Sequence, residues 1–216
     1  MDIKIVRKKM KNIILRIKDD GEIVVSAPYG LSERYIQEFV NSKKNWIAKK
    51  LEVLAEKKKK ETFELITGEV IRIFGREYTI EVFDLRPDDC KIEGDKLKIY
   101  SMNNSYEAKK KILENFLFFK LTDLLTELNE RIGKEIGYLP EKIRVKNMKS
   151  RWGSCNSSKR HINYNLQLYS KAIEAIEYVV LHELSHIPHP HHQKSFWDFV
   201  RKYMPDYKLR QEMLKE

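Results

Sequence analysis

Apolar and polar positions alternate through the first 27 residues. Ile3 and Ile5 interleave with lysines, and Ile13 to Ile17 repeats the pattern. Asp20-Gly21 then marks a turn into Ile23-Val24-Val25. A period of two is the signature of strands with one buried face, so this segment predicts short strands. Ala27-Pro28-Tyr29-Gly30 breaks the pattern, and Ser32 is a good helix N-cap. Ile36, Phe39, Val40, Ile47, Leu51 and Leu54 then recur at helical spacing, which predicts one amphipathic helix to about Glu56, with Trp46 on its apolar face. After a lysine-rich joint, Val70–Phe74 with Tyr78–Phe83, and Cys90–Glu93 with Leu97–Tyr100, predict two hairpins.

The second half changes character. Ala108, Ile112, Leu113, Phe116, Leu117, Leu121, Leu124, Leu125 and Leu128 give a broad apolar face to a long helix from about Ser105 to Ile136. Ile143 and Val145 point one way while Lys142, Arg144 and Lys146 point the other, a half-buried strand with a basic outer face. Arg151 to Cys155 and His161 to Leu166 should pair around Ser157-Ser158-Lys159. Ile173, Ile176, Val179, Val180 and Leu184 outline a further helix. Phe196, Trp197, Val200, Tyr203 and Met204 outline a last one, stopped by Pro205. This divides the chain into strands and a helix (1–62), a hairpin region (63–102) and a larger domain (103–216).

The candidate chemistry is concentrated. Five of the six histidines lie between His182 and His192. His182-Glu183-Leu184-Ser185-His186 places two imidazoles four residues apart on one helix face, where both can reach one ion. Glu183 is rotated by roughly 100° from His182, so its carboxylate can reach a water beside the metal instead of the metal itself. A catalytic zinc needs a third protein ligand and an open position. Pro188 and Pro190 end the helix near His186 or Ile187. His192 stands six residues after His186, the offset of the third histidine in the H-E-x-x-H-x-x-G-x-x-H pattern, although His189 replaces that pattern's glycine. His189 and His191 are expected to support the ligands or to be exposed.

The stretch from Arg151 to Trp197 resembles the YgjP-type metallopeptidase family, distant relatives of the SprT-like and WLM proteases. One block is Arg151-Trp152-Gly153-Ser154-Cys155 followed by Ile162-Asn163-Tyr164-Asn165. The other is His182-Glu183-Leu184-Ser185-His186, then His189-Pro190, His192 and Phe196-Trp197. Gly21, Ala27-Pro28 and Trp46-Ile47 extend the match toward the N-terminus. The resemblance implies an α+β zincin-like domain with a metal helix, a backing helix and a small mixed sheet. It implies one zinc on His182, His186 and His192, with Glu183 as base. Pro188 and His191 depart from the family's usual polar residues.

Composition narrows the remaining choices. Apolar residues make up 42% of 216, and glycine and proline are few, so the chain is globular. The first residues lack a signal-peptide core, and no apolar run approaches the ~20 residues of a membrane span. Cys90 and Cys155 are lone cysteines, which suits a reducing cytoplasm; Cys155 is expected to pack. The net charge of +10 divides into +8 over residues 1–60, −4 over 61–136 and +6 over 137–216. Lys57 to Lys60 fit a solvated helix end.

Three readings follow. The first is a zinc peptidase acting on a peptide or protein, with the substrate laid as an extra strand near Arg151 to Ser157 and touching Arg151, Trp152, Ser154 and Asn165. His161, Arg151, Asn165 and Tyr203 are its candidate oxyanion donors. The second is a metal-dependent nucleotide pyrophosphatase, its polyphosphate held by Lys142, Arg144, Lys146, Lys149, Arg151, Lys159 and Arg160. The third is a nucleic-acid-associated protein with a structural zinc, closed by His189 or His191.

Overall fold

The computed structural model describes residues 3–60 and 63–215. The chain forms two compact units, Met1–Phe63 and Glu64–Glu216. In the first, β1 (Ile3–Lys8), β2 (Ile14–Ile17) and β3 (Ile23–Pro28) form a sheet in the order β1-β3-β2. The β2–β3 hairpin is the one expected, but β1 lies parallel to β3, a pairing that local alternation does not encode. Ile23, Val25 and Ala27 share the inner face of β3 and pack with Ile36, Val40 and Ile47.

Those last residues lie on two helices, α1 (Glu33–Ser42) and α2 (Lys44–Lys60), where the periodicity predicts one. The break falls at Lys43. There the Ser42 hydroxyl donates to the Phe39 carbonyl at 2.7 Å, a local side-chain bond that competes with helix continuation. Ser32 caps α1, its hydroxyl accepting from the Tyr35 amide. The run Lys57 to Lys60 does close α2.

The second unit starts with β4 (Val70–Ile73), β5 (Arg76–Phe83), β6 (Asp89–Glu93) and β7 (Lys96–Tyr100). The two expected hairpins merge into one sheet, β4-β5-β7-β6, because β5 pairs in parallel with β7. Next comes α3 (Tyr106–Ile136), capped by Ser105 and ended by Gly137 in the left-handed region. Its buried leucines run from Leu113 to Leu128, and it contacts β6 and β7 along one part and α4 (Ile173–Ser185) along another.

A second sheet, in the order β8-β10-β9, is made by β8 (Lys142–Lys146), β9 (Gly153–Asn156) and β10 (His161–Asn165). Here β9 and β10 form the expected hairpin, and β8 joins β10 in parallel. A short 3-10 turn over Leu166–Ser170 leads into α4; α5 (Lys194–Tyr203) and α6 (Tyr207–Met213) follow. The core gathers Leu121 to Ile136 of α3, Ile162 and Tyr164 of β10, and Ile176 to Leu184 of α4. Phe196, Val200 and Tyr207 complete it. This is the mixed α+β architecture expected, with α3 as backing helix to α4 and the small mixed sheet against α4. Among the described residues, no helix is long and apolar enough to cross a membrane.

Candidate metal centre

The site is built where α4 runs out. Its interior positions, Ile176, Val179, Val180, Leu181 and Leu184, are buried on nearly all sides, which fixes the rotation of the helix. That rotation turns His182 and His186 outward and brings Glu183, only 6% exposed, against β9. His186 is the C-cap, and the next residues leave the helix as the prolines require. The chain then swings back so that His192 reaches the other two. One nitrogen from each of His182, His186 and His192 lies within 4.8 Å of the others.

These residues fit a zinc ion. His192 Nε2 stands 3.0 Å from His182 Nε2. Two nitrogens bound at about 2.05 Å to a tetrahedral ion are about 3.3 Å apart, so little adjustment is needed. The outer nitrogens are also held. His186 Nδ1 faces the His189 carbonyl at 3.2 Å, and His182 Nδ1 faces the Tyr178 hydroxyl at 3.5 Å. The carbonyl can only accept, so it places the proton of His186 on Nδ1 and leaves Nε2 for a metal, and a hydroxyl that accepts from His182 Nδ1 does the same there. The His192 ring stacks on Trp197, centroids 5.7 Å apart, and the Phe196 ring lies within 5.0 Å of all three imidazoles. Burial, then the neighbouring imidazoles, pushes His182 down to about 3, which keeps it neutral as a ligand must be. Burial lowers His186 as well.

Glu183 carries the opposite shift. Burial raises its carboxyl to about 8, while Arg151 draws it down. A cation at the imidazoles would favour the ionised form further. The carboxyl rests on the backbone of β9 at Gly153. A Cβ there would stand 2.6 Å from Glu183 Oε1 and 2.7 Å from its Cγ, so no larger residue fits without moving the glutamate. Gly153 is the functional position that sequence reasoning passes over. The available signal is a glycine inside a strand, which often marks close approach.

The centre opens into a cleft of about 580 Å³, lined by Arg151, Trp152 and Ser154 from the β9 side and by Tyr178 from α4. Gln211 and Leu214 close it from the C-terminal end, a contribution not visible in the sequence. The structure therefore brings Arg151, Trp152 and Ser154 beside the three histidines and Glu183. Asn165 is placed elsewhere. It is 5% exposed and absent from the cleft wall, and its Nδ2 donates to the Met148 and Arg151 carbonyls at 2.9 Å each. Its Oδ1 accepts from the Met148 and Gln167 amides. With all four positions taken, its expected substrate contact gives way to bracing the loop that carries Arg151. His161 and Tyr203 also line other depressions, away from the cleft. Cys155 faces the Glu183 side, and burial together with that carboxyl pushes its thiol to about 11, so it is a packing residue.

A family model described as YgjP-like, metallopeptidase domain, matches residues 11–216. The chain belongs to this family. Membership covers both units and agrees with the α+β zincin-like architecture. A comparison with curated proteins finds no match. Among solved structures, the chain is similar to the metallopeptidase zymogen of Pyrococcus abyssi abylysin, with 22% identity and a TM-score of 0.39, over 42% of this chain and 90% of that one. The YgjP-like family and the cluster of three imidazoles together support a metallopeptidase that uses a metal ion.

Proposed function

We propose that the protein is a zinc peptidase in which His182, His186 and His192 hold one ion and Glu183 is the general base. The observation that carries this reading is the convergence of three imidazoles beside a buried carboxyl group, at the open edge of a small sheet. Zinc held there would polarise a substrate carbonyl and lower the pKa of water toward about 7.

The chain's own residues supply the rest. β9 is the edge strand of its sheet, so an extended peptide can pair with its outward backbone groups. Such a strand would run past Glu183, which Gly153 holds against β9. Glu183 takes a proton from the attacking water and passes it to the leaving amine. Arg151 favours the ionised, proton-accepting form. The His189 carbonyl holds the His186 tautomer, and the Tyr178 hydroxyl orients the His182 ring. A peptide is favoured over a polyphosphate because the cleft wall carries one arginine, Arg151. Lys142, Arg144, Lys146 and Lys159 line a different depression.

The test is Glu183→Gln against a peptide library, with metal content measured on the same preparations. The variant should keep its metal and lose about 10²–10⁴ in rate. Cleavage at the wild-type rate by a variant with full metal would remove Glu183 from the mechanism.

A further inference from the structure

The sheet that presents β9 to the cleft has a second face, and its chemistry differs. Strand alternation sends Gly153 and Cys155 toward Glu183 and Asn156 to the other face, while Ser154, on the edge strand, lines the cleft and also accepts from Asn163 Nδ2 at 3.3 Å. The register of the sheet places His161 between Asn156 and Lys142, and Asn163 between Ser154 and Arg144. Lys146 continues the row along β8, and Lys142, Arg144 and Lys146 are all exposed. Lys159, from the β9–β10 turn, adds a fourth cation to the same shallow depression of about 240 Å³.

Among the described residues, no carboxylate lines this depression. Among the described residues, none of the four cations takes part in an ion pair. The neighbouring acid, Glu141, is engaged by Arg160. Surface cations are usually dispersed among acids, and a protein with 32 Asp and Glu has enough of them to do so here. On β8 the charges repeat about every 6.7 Å, and neighbouring strands stand about 4.8 Å apart. Asn156 places an amide between them: its Oδ1 accepts from the Lys159 backbone N–H, and its Nδ2 can donate to a phosphate oxygen, while the Asn163 Nδ2 already donates to Ser154 Oγ.

We propose that the outer face of β8-β10-β9 binds the phosphate backbone of single-stranded nucleic acid. A nucleic-acid strand carries a charge on every residue, a density that matches these closely set cations. A polypeptide matches it only where nearly every side chain is acidic. The cations line one depression on this face, where a flexible strand can lie. The site is separate from the metal centre and does not depend on the peptidase reading.

The experiment is fluorescence anisotropy with the full chain and a labelled oligothymidylate of about 20 nucleotides, across a salt series starting near 50 mM. Three proteins are compared: wild type, Lys142→Gln/Arg144→Gln/Lys146→Gln, and a control with the same charge loss, Lys9→Gln/Lys11→Gln/Lys49→Gln. All six side chains are exposed, and circular dichroism with metal content checks that the fold survives. Wild type and control should bind alike. The β8 variant should bind at least about tenfold more weakly. Its salt slope should also fall by about 2, since each phosphate neutralised by a cation contributes about 0.7 to that slope. Equally weakened binding in both variants would mean that only overall charge matters, and would overturn the proposal. So would no binding near 50 mM salt, or tighter binding of a labelled polyglutamate of the same length.

Discussion

Glu183 and Gly153 depend on each other at the scale of single residues. The carboxyl occupies the space that any other side chain at position 153 would fill. Gly153→Ala should therefore turn the carboxyl away while leaving the three imidazoles untouched. A shift near 1 Å at a reacting group costs on the order of 10²-fold in rate, so peptide hydrolysis should fall by about that factor with metal content unchanged. A wild-type rate in Gly153→Ala would show that the carboxyl's position against β9 is immaterial. The ligand candidates were legible in the sequence because their spacing is set by one helix turn and a proline stop. Gly153 was not, because its partner lies 30 residues away and only the packed structure joins them. Asn165 shows the converse. A polar residue inside a notable motif suggests substrate, yet its four hydrogen-bonding positions are spent on the loop over 148–152 and on the Gln167 amide.

At the scale of elements, the strand–helix junction behind the site rests on one buried polar pair. Tyr164 of β10 is fully buried and donates to Asn129 Oδ1 of α3 at 2.9 Å, while Asn129 Nδ2 donates to the Leu125 carbonyl. Tyr164→Phe would leave Asn129 Oδ1 without its donor in a buried interface. That should cost about 1–3 kcal/mol in urea unfolding, with the metal retained. An unchanged midpoint would mean that water or another donor replaces the hydroxyl. The elements themselves were mostly readable. The period of α3, the hairpin of β9 and β10 and the end of α4 all follow from local patterns. The three parallel pairings, β1 with β3, β5 with β7 and β8 with β10, did not, because parallel pairing joins distant segments and leaves no local turn signal. The break at Lys43 and the short α6 escaped for a related reason: the first goes with one local side-chain bond and the second spans only seven residues, both too short for a periodicity to register.

At the scale of the whole molecule, the unit over 64–216 holds α3, both sheets around it and every residue of the metal centre. One side of its β8-β10-β9 sheet meets α4, which carries Glu183 and two of the three imidazoles, and the opposite face offers cations. The central claim is that three histidines, one of them supplied from beyond the end of α4, hold a single ion. The most direct measurement is metal content by mass spectrometry for wild type and His192→Ala, each purified without added metal and then offered zinc. His192 is exposed, so its removal should leave the fold intact. About one zinc per wild-type chain is expected, with binding abolished or much weakened in the variant. No zinc in the wild type after it is offered, or equal zinc in the two proteins, would contradict it.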